Sequence, residues 1–568
     1  MKLNKLIVLL AIPLVISGCH KKDTKNYFPE EEIKVFLEGR EADITNYNLP
    51  VKLKKKELIS YQVYEEEPPY FNVLIKDADN TKLDYVTNIL NETNYRVDED
   101  LYIDAYEQMA VKLTKTEDML SLDVFACKDL DVNTHEEGKV RYTMPASLNE
   151  NIENYNLSAN YHNDYFRHSA TILDDNLKML SFASTIVSDS AERATNFFSK
   201  MFFDSFVSSG YDEITKETIG YVFAHKNIDD FELYAVCIRG FEYGAEWANN
   251  FLIGDSEDHY GFSLRGTEVY NDLNTYINGI HTEGKSVKVW VTGYSRAGAI
   301  SDFVSMKIMN SGIYSIGQDT LYTYTFEAPA SVNTAHYVAY PNVFNFVNSA
   351  DLIPYVPPTQ YGLGRTGTDI ATYDANVESI VANFDPAIAI PAFTSKSDYA
   401  TEQDFINVFM SKLLEDTGND GSLHNREAFA NNYQTDLGDM ISFFFTLPPE
   451  TSAKLAGILN DDDNPNKLSA WDYISIVLFD SNPLPDKIKP ILDEDGITYD
   501  PDRLQECTDK LCRLLSTHKN LVWMFIKITW PLSDSGIDED VKNNVSRSIT
   551  MHYPEITYSL ISSKNFAH

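Results

Sequence analysis

The chain has 568 residues, with 47 basic against 85 acidic side chains, a net charge of −38, and 43% apolar residues. That length suggests three or four domains, and the apolar share excludes a largely disordered protein. The acidity argues against nucleic acid as a partner and predicts repulsion from anionic membrane surfaces.

At the start of the chain, Lys2 and Lys5 precede an apolar stretch, Leu6 to Ile16, that is interrupted by Pro13. The stretch is too short to span a bilayer and reads as a signal peptide over 1–19. It ends in Ile16-Ser17-Gly18-Cys19, and small residues directly before a cysteine resemble the lipobox of bacterial lipoproteins. That resemblance implies cleavage before Cys19, lipidation of its thiol, and anchoring to the outer face of a bacterial membrane. No later segment reads as transmembrane; the strongest candidate, Leu521 to Leu532, is short and holds Lys527 and Pro531. The remaining cysteines, Cys127, Cys237, Cys507 and Cys512, are sparse for an exported chain. Cys507 and Cys512 fall on different faces of a predicted helix, a poor geometry for bridging, and no spacing matches a zinc site.

Residues 20–50 read as a polar tether. Over 51–150, strand-like Tyr70 to Ile75, helical Leu83 to Leu90, and strand-like Leu101 to Ala105, Ala110 to Leu113 and Leu120 to Ala126 suggest a small α+β domain. Over 151–370 the pattern changes. Helical runs at Leu173 to Val187 and Ala194 to Val207 lead into strands at Glu232 to Ile238, Val287 to Val291, Leu321 to Glu327 and Val343 to Asn348. Strands alternating with helices predict a mostly parallel sheet whose ligands bind beyond the strands' C-terminal ends. Residues 371–544 read as mainly helical, with acidic loops such as Asp461-Asp462-Asp463 that lack calcium-loop spacing. Residues 545–568 close the chain with a short apolar run, His552, and a helix opened by Pro554 and Glu555.

The most informative segment is Thr292-Gly293-Tyr294-Ser295-Arg296-Ala297-Gly298. It joins a strand to an amphipathic run, Ala297, Ile300, Val304, Ile308, as a G-x-S-x-G nucleophile elbow does. Strand and helix converge there, so the residues two before and two after the serine must be small. Gly293 and Ala297 meet that need, the alanine departing from the usual second glycine. The serine is exposed at a strand end, with the Arg296 N–H at the helix N-terminus, where developing negative charge is stabilised. Acyl transfer by serine also needs a base, a carboxylate to hold it, and N–H donors, in the chain order Ser, Asp or Glu, His. Asp351, after a buried-looking strand and before Leu352-Ile353-Pro354, fits the acid.

In order along the chain, Arg239-Gly240, His259-Tyr260-Gly261-Phe262, Gly293 to Gly298, Phe326-Glu327-Ala328-Pro329 and Asp351 to Pro358 resemble the class 3 (fungal-type) lipases. The runs Gly244 to Phe251 and Tyr361 to Gly367 look like a bacterial lipoprotein branch of that family. The resemblance covers roughly 155–370 well and the final segment weakly. It implies an α/β-hydrolase fold with Ser295 as nucleophile, Asp351 as acid, and the N–H groups of Arg296 and Phe241 as oxyanion donors. The family usually carries Thr or Ser where Phe241 stands, so any hydroxyl contribution is lost. His424, His518, His552 and His568 follow Asp351. His518 sits mid-helix and His568 is the last residue; His552, just before the closing helix, is favoured over His424 in its polar loop. His259 precedes the serine and reads as structural.

Together these readings describe an α/β-hydrolase with a mostly parallel sheet, a helical cap-like insertion and a small N-terminal α+β domain. The expected activity is hydrolysis of carboxylic esters, acyl glycerols or other lipid esters, with no metal or organic cofactor. A thioesterase or short-chain esterase on the same site, and an inactive surface protein that kept the fold, are the alternatives. The sequence does not give the oligomeric state.

Overall fold

The structure is a computed structural model. It describes residues 25–45, 47–65, 68–93, 96–98, 101–104, 108–130, 137–149, 151–241, 244–255, 257–415, 425–460, 464–479, 481–517, 539–564 and 566. Cys19, His424, His518, His568, the loop 461–463 and the run 521–532 lie outside the described residues. The chain divides into two compact units, one of residues 1–93, 100–102 and 108–131, the other of 94–99, 103–107 and 132–568.

The first unit holds α1 (Glu30–Gly39), β1 (Leu58–Tyr64), β2 (Tyr70–Lys76) and α2 (Thr81–Glu92), then, after short β3 (Arg96–Asp98), which belongs to the second unit, and β4 (Leu101–Ile103), whose last residue does, β5 (Met109–Lys115) and β6 (Met119–Ala126). Strands β1, β2, β6 and β5 form an antiparallel ladder in that order. Alternate residues Phe71, Val73 and Ile75 of β2 and Leu120, Leu122 and Val124 of β6 are buried, the period-2 pattern of a half-buried strand. The tether expected over 20–50 is corrected from Lys25 onward. Ile33, Phe36 and Leu37 form a buried stripe at helical spacing on α1, and Leu49 and Val51 are buried as well. The Asn26 side chain fastens this segment: Nδ2 donates to Val51 O at 3.1 Å, and Oδ1 accepts from Leu53 N at 2.9 Å.

From residue 132 the second unit continues as the hairpin β7 (Glu137–Pro145) and β8 (Asn154–His162), then α3 (Asp175–Ile186), α4 (Ala191–Ser199), β9 (Ser205–Ser209), β10 (Tyr221–Ile228) and β11 (Phe231–Ile238). After these come α5 (Tyr260–Ile280), β12 (Ser286–Tyr294), α6 (Arg296–Ser311), β13 (Leu321–Phe326), β14 (Val332–Asn333), β15 (Val343–Val347), β16 (Leu363–Gly364) and β17 (Thr368–Ala371). The main sheet runs β17-β15-β13-β12-β11-β10-β9. It is parallel from β17 to β11 and antiparallel over β11, β10 and β9. The helical run expected through Val207 stops at Ser199, and residues 205–209 pair with β10 instead. Cross-strand pairing wins there over local helical spacing.

Both faces of the sheet are covered, which is why its central strands read as near-continuous apolar runs. Along β12, Trp290 and Tyr294 face a core shared with α3 and α4, while Val289 and Val291 face a core shared with α5 and α6. The Trp290 indole N–H finds Ser181 Oγ at 2.8 Å, so a large apolar ring is buried without stranding its donor.

From residue 377 onward, the described elements are all helices: α7 (Val377–Phe384), α8 (Glu402–Glu415), α9 (Arg426–Asn432), α10 (Gln434–Thr446), α11 (Pro449–Asn460), α12 (Ala470–Phe479), α13 (Leu484–Glu494) and α14 (Pro501–Thr517), then helix Glu539–Thr550 and the closing helix Pro554–Ser563. Named polar contacts tie them to the sheet region. The Arg426 guanidinium donates to Gly254 O at 2.8 Å and Ile253 O at 2.7 Å, and Lys216 pairs with Asp439 at 2.7 Å. Among the described residues, Cys127, Cys237, Cys507 and Cys512 are buried thiols and none is joined in a disulfide.

Helices α5 and α6 meet at Gly266, where a Cβ would stand 2.5 Å from Phe303 Cβ. Gly266→Val is therefore expected to destabilise the protein by about 1–3 kcal/mol through overpacking. Gly279→Ala, on the same helix with nothing within 4 Å, should be neutral or stabilising. Urea unfolding of the two variants against the parent checks both.

Candidate active site

Ser295 sits between the last residue of β12 and the first of α6, with φ 55° and ψ −130°. A side chain at positive φ costs on the order of 1–3 kcal/mol and needs surroundings that over-determine it. Here the Ser295 N–H donates to Phe326 O at 2.8 Å, and Ser295 O accepts from Gly298 N at 2.9 Å. The neighbouring glycines are required sterically. A Cβ on Gly293 would lie 2.3 Å from Ala297 O, and one on Gly298 would lie 2.8 Å from Ala328 Cβ. Ala297 is tolerated because its methyl faces Gly240, whose own Cβ would come within 3.4 Å of it.

His552 lies between helix Glu539–Thr550 and the closing helix. Its Nε2 is 2.9 Å from Ser295 Oγ, and its Nδ1 is 2.6 Å from Asp351 Oδ2. Asp351 is fully buried, and its second oxygen accepts from Ile353 N at 2.8 Å. The histidine turn is fastened from the sheet side: Tyr294 Oη donates to His552 O at 2.5 Å, and Leu352 N donates to Ser548 O at 3.2 Å. A hydroxyl, an imidazole and a carboxylate in this series can remove the hydroxyl proton and stabilise the imidazolium that results.

Arg239, Gly240 and Phe241 follow β11 and lie against the elbow. A Cβ on Gly240 would sit 2.4 Å from Tyr294 O, and the Phe241 ring lies 4.7 Å from that of Tyr294. Behind them, the Glu246 carboxylate is hydrogen-bonded to both Arg239 Nη2 and Arg296 Nη1, all three side chains being almost fully buried. Ser295, Arg296, Phe241 and His552 border a cavity of about 740 Å³. Its other walls are mainly apolar, with Trp247, Phe251 and Val356 from the sheet region and Phe409, Met410 and Phe429 from α8 and α9.

Two further titratable groups are shaped by burial. Glu327 adjoins Asp351; burial and the Asp351 charge push its carboxyl well above the ordinary range, while Oε2 accepts from Asn348 N at 2.8 Å. His259, expected to be structural, caps α5: its Nδ1 accepts from Phe262 N at 3.4 Å, and its Nε2 lies 3.3 Å from Asn250 O. Capping through Nδ1 requires a neutral ring, and burial lowers its pKa from 6.5 to about 3.

The sequence-predicted residues Ser295, Asp351, His552, Arg296 and Phe241 thus converge, while Cys19 and His424 lie outside the described residues. Glu246 and Glu327 stand in runs that carry the family resemblance, but the sequence assigns neither a role. A usable signal was the pair Arg239 and Arg296 next to buried strand ends, since two such guanidiniums demand a buried counter-charge.

The depressed His259 pKa carries a sign. The unfolded chain binds this proton below about 6.5 and the folded chain does not until about 3, so stability present above 6.5 is lost as pH falls through that window. His259→Asn keeps a capping oxygen but cannot titrate. Its unfolding free energy should fall less steeply than the parent's between those pH values, by up to about 1.4 kcal/mol per pH unit. Urea titrations across that range check it; parallel curves would remove His259 as the source.

Comparison with known proteins adds a family likeness for part of the chain. The family model of lipase (class 3) matches residues 235–361, which run from β11 through the elbow to the segment after Asp351. No curated protein sequence matches. Among solved structures, the triacylglyceride lipase of Rhizomucor miehei is 17% identical, covering 36% of this chain and 82% of that one, with a TM-score of 0.29. Lipase II of Rhizopus niveus is 16% identical over 35% and 82% of the two chains, with a TM-score of 0.28. The lipase of Rhizopus microsporus var. chinensis is 17% identical over 35% and 75%, also at 0.28. The class 3 match across the serine elbow identifies the chain as a carboxylic ester hydrolase.

Proposed function

We propose that the chain is a serine hydrolase of lipid esters such as acyl glycerols. The observation that carries this reading is the series Ser295 Oγ, His552 Nε2 and Nδ1, Asp351 Oδ2, with separations of 2.9 and 2.6 Å. In the proposed reaction, Ser295 Oγ attacks the ester carbonyl as His552 takes its proton. Asp351 holds the Nδ1 proton and stabilises the imidazolium. The carbonyl oxygen becomes an anion that the N–H groups of Arg296 and Phe241 receive at the N-terminus of α6. Collapse expels the alcohol, which takes the proton from His552, and leaves an acyl-Ser295 ester. Water, deprotonated by His552, then releases the carboxylic acid.

The apolar cavity beside Ser295 supports an acyl chain as the bound group, since such lining rewards burial at about 25 cal/mol per Å². Phe409, Met410 and Phe429 supply part of that lining, which favours reading the helical insertion as a cap over the site. The lipobox-like Ile16-Ser17-Gly18-Cys19 supports a lipid anchor that keeps the enzyme at a membrane surface.

Ser295→Ala is expected to abolish labelling by a fluorophosphonate probe and to lower ester hydrolysis by at least about 10⁴-fold, with His552→Ala comparably impaired. Absence of labelling in folded parent protein would sink the hydrolase mechanism. A series of p-nitrophenyl esters from acetate to palmitate tests the lipid assignment; a maximum at acetate would replace it with a short-chain esterase. Cys19→Ser should move the protein from the membrane fraction to the soluble fraction in the native host, which fractionation and immunoblotting read directly.

A further inference from the structure

Glu246 stands in the segment Gly244–Asn250 and touches neither cavity nor serine directly, yet it joins the two pieces of chain that border both. One carboxylate oxygen takes the Arg239 guanidinium, the residue before Gly240-Phe241. The other takes the Arg296 guanidinium, the residue after Ser295. All three side chains are about 1% exposed or less. The carboxylate is itself fixed, because Thr218 Oγ1 donates to Oε1 at 3.3 Å. Arg239 is fixed too: Nη2 donates to Gly210 O at 2.8 Å, and its guanidinium fills a slot that a Cβ on Gly220 would invade at 2.6 Å.

We infer that Glu246 is a positioning residue that sets the separation of the two oxyanion donors by clamping the Arg239–Phe241 turn to the elbow. This rests on the serine hydrolase reading above. The physical case has two parts. A buried carboxylate with a guanidinium on each oxygen leaves neither arginine room to shift alone, so the two N–H groups move as one body. Donors aimed at an oxyanion act only if they are placed before the charge develops, and a misplaced donor costs the transition state while leaving ground-state binding intact. Phe241 brings no side-chain hydroxyl to this hole, so the placement of its backbone N–H carries more weight.

The test uses Glu246→Gln and Arg296→Met in the full chain, with kcat expressed per serine titratable by a fluorophosphonate so that misfolded molecules drop out. Arg296→Met keeps a neutral Arg239–Glu246 pair and cuts the tie to the elbow, so it serves where Glu246→Gln, which leaves two buried cations, fails to fold. Both variants are expected to lose kcat on the order of 10²-fold, with KM within about twofold of the parent. Affinity for an alkylboronate, which forms a tetrahedral anion on serine, should fall in step with kcat. Affinity for the matching alkyl alcohol should not move. A kcat that holds or rises in folded Glu246→Gln, where local positive charge has increased, would overturn positioning in favour of plain electrostatics. A change confined to KM would also overturn it. Failure of the parent itself to label at Ser295 would instead refute the hydrolase mechanism, so the two failures are distinct.

Discussion

The close approach of strand β12 to helix α6 at Ser295 is the constraint on which the rest of the second unit depends. To turn from strand to helix in one residue, Ser295 adopts a positive φ, and the chain on either side passes within contact of itself. That approach dictates glycine at 293, glycine at 298 and, on the neighbouring strand end, glycine at 240. The strain is held by bonds from outside the turn, above all Ser295 N–H to Phe326 O on the adjacent strand. The order β13-β12-β11 in the sheet is thus what lets the serine be presented at all.

From that point the site is assembled by parts that are distant in the chain. His552 comes from 257 residues beyond Ser295, and Asp351 from the end of β15. Their contact is fixed through backbone groups: Asp351 receives Ile353 N–H, and His552 O receives the Tyr294 hydroxyl. Tyr294 is the residue before the serine, so the strand that presents the hydroxyl also holds the imidazole. Helices α8 and α9 then line part of the cavity, with Arg426 donating to the carbonyls of Ile253, Gly254 and Asp258.

Two groups of buried ionisable side chains stand beside this same point. Arg239, Glu246 and Arg296 form one cluster, and Asp351 with Glu327 another. Buried ion pairs contribute little net stability, because desolvation offsets most of their attraction. Their value lies in defining one arrangement, since any displacement strands a charge. Glu327 avoids that cost differently: burial and the Asp351 charge favour its neutral form.

The linear sequence determined whatever depends on near neighbours: the strand-elbow-helix around Ser295, the buried parallel strands, and the placing of Asp351 and Phe241 at strand ends. These rest on periodicity and on the small-residue demand of a tight turn, both of which are local. What the tertiary structure decided depends on distant partners. Local patterning left His424 and His552 open, and only the fold sets the His552 Nε2 at 2.9 Å from Ser295. The strand at 205–209 looked like the end of a helix because its partner, β10, is invisible to a short window. The segment from Lys25 looked like a tether because the surface that buries Ile33 and Leu37 comes from elsewhere in the chain. Glu246 stayed silent for the same reason: an acidic residue becomes a clamp only when two arginines, far apart in sequence, arrive on either side of it.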